Sequence, residues 1–256
     1  MRQFGLIGYP LGHSFSATYF GEKFEREAID ATYRNFPLDR VSDFRRLLQR
    51  EPLLSGLNVT VPYKQKIIKY LDSLSDTASR IQAVNTISFG LRAGRPWLEG
   101  DNTDVIGFRS SLEKHLKPHH ASALVLGTGG SSKAVRYVLG QLGIDFILVS
   151  RTAGKGSNEA QTEQNRRITY SELNARLVQN TTLLINTTPL GMHPDVKSFP
   201  VIPYDALTPD HLLFDLVYNP ARTEFLARGE KRGAAVVNGY EMLILQAEAS
   251  WKIWNA

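Results

Sequence analysis

The chain has 256 residues, 42% of them hydrophobic, with no cysteine and a formal net charge of +5. This length and composition supply a real core and exclude a disordered chain. The missing cysteine excludes a disulfide framework and a thiolate metal site, and no apolar run approaches the roughly 20 residues of a membrane-spanning helix. The positive charge is spread apart from short clusters such as FRRLLQR at 44–50, which leaves a solvated surface, a nucleic-acid partner or attraction of small anions open. MRQFGLIGYP lacks the long apolar stretch of a signal peptide, so a soluble cytoplasmic protein is expected.

FGLIGYP (4–10) reads as a strand ended by Gly and Pro. Residues 16–28 carry Phe20, Phe24 and Ala28 at helical spacing, TYRNFPL (32–38) is strand-like, and 39–50 set Val41, Phe44, Leu47 and Leu48 on one helical face. GLNVTVPYK (56–64) alternates Val59 and Val61 with Asn58 and Thr60, so the valines face the core and the polar pair the other side. Pro62 stops this strand, and the spacing predicts a helix from about Tyr63 to Leu71. AVNTISFG and RPWLEGDN read as two strands joined by a turn near Arg92–Arg95.

A second alternating block begins near 122. SALVLGTGG (122–130) is an apolar strand entering a glycine-rich turn, 131–142 a helix, and DFILVSR (145–151) a second buried strand. TLLINTTPLGM (182–192), HLLFDLVYN (211–219) and GAAVVNG (233–239) supply further strands, 153–166 a polar loop or short exposed helix, and 240–254 a last helix. Strand–helix alternation of this kind predicts an α/β fold with largely parallel sheets, divided between about 100 and 120 into two α/β lobes.

The turn places Gly127, Gly129 and Gly130 between a strand and a helix, where glycines let a pyrophosphate approach a helix N-terminus. The spacing is G-x-G-G, and glycine also serves strand–helix turns for conformational reasons alone. An acid about 20 residues on would hold the ribose of NAD. Here the second strand ends in Ser150-Arg151-Thr152, with Lys155 close behind. Arg151 is thus either a surface charge or the guanidinium that takes the 2′-phosphate of NADP.

Four polar clusters lie in the first half: GHSFSAT (12–18), NVTVPYK (58–64), AVNTI (83–87) and GDNTDVIGF (100–108). Ser14 and Ser16, two apart, would aim their hydroxyls one way if extended, as would Asn58 and Thr60. Asp104 stands where a loop enters a helix, so it reads either as a cap or as a functional carboxylate. Together the clusters offer hydroxyls, amides, one carboxylate and one amine, the set that a polyhydroxy substrate requires. The histidines show no metal-ligand spacing, so no metal is expected.

These segments resemble the shikimate dehydrogenase family. GHSFS resembles its H-S-x-S segment, and GLNVTVPYK its N-V-T-V-P-[FY]-K motif. AVNTI, GDNTD, GTGGSSKAV, INTTPLGM, DLVYNPARTEF and NGYEMLILQA follow in family order over essentially the whole chain. The resemblance implies a substrate lobe with a mostly parallel sheet (1–103 plus 240–256), a Rossmann-type NADP-binding lobe (104–239), and a C-terminal helix returning to the first lobe. It implies Lys64 and Asp104 as the catalytic pair, and contacts to shikimate from Ser14, Ser16, Asn58, Thr60, Asn85, Tyr218 and Gln246. Gly127, Gly129, Gly130, Ser150, Arg151, Thr152 and Lys155 would hold NADP, with Leu216 and Gly239 near the nicotinamide. Ala17 stands where the family usually has proline, Val105 where it has glycine, Ser150 where asparagine is common and Lys155 where a second arginine is common.

The implied reaction is reversible NADPH-dependent reduction of 3-dehydroshikimate to shikimate, in aromatic amino acid biosynthesis. A positively charged Lys64 would stabilise the growing negative charge on the ketone oxygen and deliver a proton, while Asp104 orients the amine and the hydroxyl. The expected partners are small molecules rather than nucleic acid or membrane, with the chain acting as a monomer or homodimer. Alternatives are a quinate/shikimate dehydrogenase, a paralogue using NAD or another polyhydroxy-cyclohexane acid, and a non-catalytic cofactor-binding regulator.

Overall fold

The structure, a computed structural model, describes residues 1–12, 14–152 and 166–256. In chain order the first elements are β1 (Arg2–Gly8), α1 (Phe15–Arg26), β2 (Ala31–Pro37), α2 (Phe44–Arg50), β3 (Leu54–Val59), β4 (Ser73–Leu74), α3 (Asp76–Ile81), β5 (Thr86–Arg92), β6 (Arg95–Asp101) and α4 (Asp104–Leu112). There follow β7 (Ser122–Leu126), α5 (Gly130–Gln141), β8 (Asp145–Ser150), β9 (Arg167–Thr169), α6 (Ala175–Gln179), β10 (Leu183–Asn186), β11 (Leu212–Asp215), α7 (Glu224–Glu230), β12 (Ala235–Val237) and α8 (Tyr240–Ile253). The chain divides into two units, Met1–Ile106 with Gln246–Ala256, and Gly107–Leu245, so it passes from one to the other within α4 and within α8. Among the described residues no helix is long and apolar enough to cross a membrane.

The first unit holds a six-stranded sheet in the order β2-β1-β3-β5-β6-β4. β1 pairs in parallel with β2 and β3, and β4 with β6, whereas β3–β5 and β5–β6 are antiparallel. The hairpin β5–β6 turns at Ala93 and Gly94, both at positive φ, where the sequence predicts a turn. Ile7, Leu57, Val59, Ile67 and Ile87 fill one core cluster. The end of α8 is held on the sheet by aromatic packing: the Trp254 ring stacks on Phe4 at 4.7 Å between centroids, and its indole donates to the Ile87 carbonyl at 3.1 Å. Aromatic pairs of this kind contribute about 0.5–1.5 kcal/mol beyond their buried area. This packing brings Gln246 and Ser250 to the first unit although the sequence places them at its far end.

Three local expectations change. The segment 63–71 is not an α-helix; it is a run of turns ending in a 3-10 turn at Ile68–Tyr70. The Lys64 carbonyl, which a helix would use for residue 68, accepts the Val84 N–H at 2.7 Å. Val61 does not face the core, being 69% exposed, because β3 ends at Val59 and alternation stops there. Ser14 and Ser16 do not lie on one extended segment. Ser14 caps α1, accepting the Ala17 N–H at 3.2 Å, and Ser16 lies within that helix. Helix N-caps of this kind stabilise by about 0.5–2 kcal/mol.

The second unit carries six strands in the order β12-β11-β10-β7-β8-β9, with all five pairings parallel. Numbered from β7, that order is 6-5-4-1-2-3, the doubly wound arrangement whose ligand crevice opens at the strand C-termini between the first and fourth strands. Those strands are β7 and β10, followed by Gly127 and Thr187 respectively. Leu124, Leu126, Val149, Leu184, Leu213 and Phe225 form its core. These central strands are near-continuous apolar runs, as a sheet covered on both faces requires.

Candidate active site

In the first unit, β3 ends in a turn that carries Lys64, and Asp104 opens α4. The Lys64 amine donates to Asp104 Oδ2 at 2.6 Å, with side-chain exposures of 15% and 7%. The other carboxylate oxygen accepts from Asn85 Nδ2 at 2.9 Å. Among the described residues the amine makes no other hydrogen bond, so two of its three ammonium hydrogens keep their capacity.

Asn85 is fixed in turn. Its carbonyl oxygen accepts from the Thr103 N–H at 2.7 Å, and its amide also approaches Thr103 Oγ1 at 3.0 Å and Gln246 Oε1 at 3.4 Å. Asn58 belongs to the same buried layer: its amide donates toward Ser250 Oγ at 2.9 Å, Asn85 O at 3.2 Å and Thr86 Oγ1 at 3.3 Å, and its oxygen accepts from Tyr33 at 2.8 Å. Burial pushes the Tyr33 hydroxyl pKa up, which keeps it a donor. Buried amides without such partners would cost about 1–3 kcal/mol each. Lys64, Asp104, Asn85, Asn58 and Gln246 are therefore joined in one network. Thr60 lies outside it, with no hydrogen bond to its hydroxyl among the described residues, and Ser14 is tied to Asn35 at 2.7 Å. Thr103, Thr86, Ser250 and Tyr33 complete the layer and escaped sequence reasoning. The N-T-D and N-T-I runs hold the first two in plain view, but nothing local shows that Ser250, 164 residues away, meets Thr86 at 2.8 Å.

In the second unit, a cavity of about 400 Å³ is lined by Gly127, Thr128, Gly129, Ser150, Arg151 and Tyr170 with the chain after β10. Gly127 sits at φ 110, and a Cβ there would lie 2.7 Å from Thr187 Oγ1. Gly129 caps α5, and a Cβ on it would meet nothing within 4 Å, so the space above it is open. The unpaired N–H groups at the start of this 12-residue helix favour an anion. Among the described residues no carboxylate lines the cavity, and Arg151 is exposed at the end of β8. These features fit a dinucleotide with a phosphate on its adenosine ribose. Gly130 begins α5, and Thr152 accepts from Ser150 Oγ at 2.7 Å through its carbonyl; neither lines the cavity. Lys155 lies outside the described residues. Leu216 and Gly239 meet elsewhere in the unit: a Cβ on Gly239 would stand 2.2 Å from the Leu216 carbonyl oxygen, so only glycine permits that approach. Tyr218 is half-buried, and burial raises its pKa.

A second layer behind this cavity was not anticipated. Asp215, fully buried at the end of β11, accepts from Asn186 at 2.9 Å, the Val217 N–H at 3.0 Å and Thr223 at 2.6 Å. Burial raises its pKa to about 6 even though all three hydrogen bonds oppose that shift. Asn186 then accepts from the Thr188 hydroxyl at 2.6 Å, and Thr188 lines the cavity. The signal for this chain was an acid closing the apolar run HLLFD. Among the described residues no group of three or more acids and histidines is arranged to hold a metal.

A parallel sheet of this order, with a glycine turn at its switch point and an arginine ending the second strand, defines a dinucleotide-binding α/β unit. The chain's relatives give the particular family. The profile of the shikimate dehydrogenase substrate binding domain matches residues 6–87. A shikimate dehydrogenase (NADP(+)) from Halothermothrix orenii is 37% identical over 265 residues, covering 98% of this chain and 90% of its own. One from Clostridium beijerinckii is 39% identical over 259 residues, covering 100% and 92%. The crystal structure of shikimate 5-dehydrogenase from Thermus thermophilus, in complex with NADP(H) and shikimate, superimposes with a TM-score of 0.85 at 30% identity, over 99% of this chain and 93% of that one. The chain belongs to the shikimate dehydrogenase family.

Proposed function

We propose that this protein catalyses the reversible NADPH-dependent reduction of 3-dehydroshikimate to shikimate, with Lys64 and Asp104 as its acid–base pair. The observation that carries the reading is the 2.6 Å contact between those two side chains, inside a unit whose sequence matches the family's substrate-binding domain. NADPH, when bound, would supply the hydride that reduces the ketone carbon. As that carbon is reduced, negative charge grows on the oxygen. The Lys64 ammonium, with donor capacity left beyond Asp104, stabilises that charge and hands over a proton. Proton transfer of this type is worth about 10²–10⁴-fold in rate. Asp104 fixes the direction of the amine, and Asn85 fixes Asp104.

The resemblance assigns both Asn58 and Asn85 to the substrate. Their amide hydrogens are engaged by neighbours, so in this reading they act chiefly by positioning Asp104 and Gln246. Thr60, Ser14, Ser16 and Gln246 remain the substrate contacts of the first unit, and Tyr218 that of the second. Gly127, Gly129, Gly130, Ser150, Arg151 and Thr152 hold NADP, with Leu216 and Gly239 beside its nicotinamide. The substrate function falls to the unit around 1–103 and 240–256 and the cofactor function to that around 104–239. A cytoplasmic monomer or homodimer acting on small molecules alone completes the proposal.

Purified protein mixed with shikimate and NADP⁺ should develop the NADPH absorbance band, with NAD⁺ and quinate each much poorer replacements. Absence of shikimate-dependent NADPH formation would end the proposal. Equal rates with quinate or NAD⁺ would move it to the quinate/shikimate alternative.

A further inference from the structure

Among the described residues of the cavity wall, Tyr170 is the one with a buried polar atom that the fold leaves unexplained. It follows β9, and its backbone N–H donates to the Ser150 carbonyl at 3.2 Å, which sets it beside the end of β8. Its ring packs against the core of the second unit, and its carbonyl takes the Leu173 N–H at 3.3 Å. Ring and backbone are therefore both accounted for. The hydroxyl is not: it is buried and, among the described residues, has no hydrogen-bond partner. Arg151, on the same wall, is close enough for its charge to bear on that hydroxyl.

An orphaned buried hydroxyl is destabilising, and phenylalanine would serve the packing equally well. A bound group able to accept a hydrogen bond removes that penalty. Beside a guanidinium, at a wall without a carboxylate among its described residues, the acceptor that fits is an anionic oxygen. We propose that Tyr170 is a cofactor-contact residue, its hydroxyl donating to the 2′-phosphate of NADP next to Arg151, so that preference for NADP over NAD rests on both side chains. The inference rests on the NADP reading above.

The test is calorimetric titration of wild type, Tyr170→Phe and Arg151→Gln with adenosine 2′,5′-bisphosphate, NADP⁺ and NAD⁺, alongside thermal melts. Tyr170→Phe should weaken the two 2′-phosphorylated ligands by roughly tenfold, equivalent to about 1.4 kcal/mol. Its affinity for NAD⁺ should change less than twofold, and its melting temperature should stay level or rise, because the ring is kept and the orphan removed. Equal loss for NAD⁺ and NADP⁺, or no loss for either, overturns the assignment. If wild type binds NADP⁺ better than NAD⁺, and Arg151→Gln abolishes that difference while Tyr170→Phe leaves it intact, the Tyr170 assignment alone fails. If wild type does not favour the 2′-phosphorylated ligands at all, the NADP reading and the Tyr170 assignment fail together.

Discussion

Replacing Lys64 by methionine removes the amine while keeping most of the stem, and the contacts around it set what should follow. The backbone is untouched: its carbonyl bond to the Val84 N–H needs no side chain. The loss falls on Asp104, whose Oδ2 is left without the Lys64 donor while Oδ1 keeps Asn85. A buried acceptor stranded in this way costs about 1–3 kcal/mol, and more when it is charged. Breaking a fully buried pair costs about 3–5 kcal/mol, but Lys64 is 15% exposed and water can reach the vacated place, so the lower range applies. A melting temperature lower by a few degrees is expected. Turnover should fall far more, by about 10²–10⁴-fold or roughly 3–5 kcal/mol in the barrier. Single-turnover oxidation of NADPH by 3-dehydroshikimate reads the chemical step directly. The double variant Lys64→Met, Asp104→Asn separates the two effects, because a neutral amide needs no ammonium: stability should recover and turnover should not. Turnover of Lys64→Met within tenfold of wild type, or recovery of turnover in the double variant, would refute the acid–base assignment.

The two glycines of the turn should fail differently. Gly127→Ala places a Cβ at φ 110 and 2.7 Å from Thr187 Oγ1, so it should lower the melting temperature and cofactor affinity together; Gly129→Ala meets nothing within 4 Å, so only affinity should fall, as read by melts and NADP⁺ titration. An unchanged NADP⁺ affinity in Gly129→Ala would show that no ligand backbone approaches there. Asp215→Asn should flatten the pH dependence of stability in chemical denaturation. Its folded pKa is raised from 3.8 to about 6, so its contribution is fully present below about 3.8 and is lost as pH rises through about 6. The variant should therefore gain on wild type above pH 6, by on the order of 3 kcal/mol at most, and lose that advantage on acidification. The amide fits because its oxygen can keep the Asn186 and Val217 bonds while its nitrogen donates to the Thr223 hydroxyl. A variant less stable than wild type at pH 7 would count against this account.

The sequence made the second unit more legible than the first. Its central strands are continuous apolar runs closed by glycine or polar residues, and burial on both faces leaves little else for such runs to be. The glycine turn and Arg151 could be placed from strand order alone. In the first unit, tertiary partners overrode local pattern. The 63–71 segment has helical spacing, yet a strand-entry N–H from Val84 takes the carbonyl a helix would need. Val61 continues an alternation that no longer had a strand to act on. Motifs carried Lys64 and Asp104 to attention, but that they touch is a fact of folding: they are 40 residues apart in the chain. Tyr170 carried no motif, and Asp215 opens DLVYNPARTEF without that run assigning it a task, so burial is what makes both conspicuous.

Hydrogen-bond capacity separates residues that hold the site from those free to meet a ligand. Asn85 and Asn58 are polar and close to the pair, which makes them natural substrate contacts on a list of residue types. Each has its amide hydrogens engaged, so a substrate oxygen must compete with Asp104 or Ser250 for them. Among the described residues the Lys64 amine has one partner, the Thr60 hydroxyl none and the Tyr170 hydroxyl none. Saturated groups rigidify, because moving one strands another. Unsaturated groups gain from any acceptor that arrives, and in a buried wall that gain is largest. Substitutions at Asn85 or Asn58 should therefore lower turnover and stability together, whereas those at Thr60 or Tyr170 should change ligand preference with the fold intact.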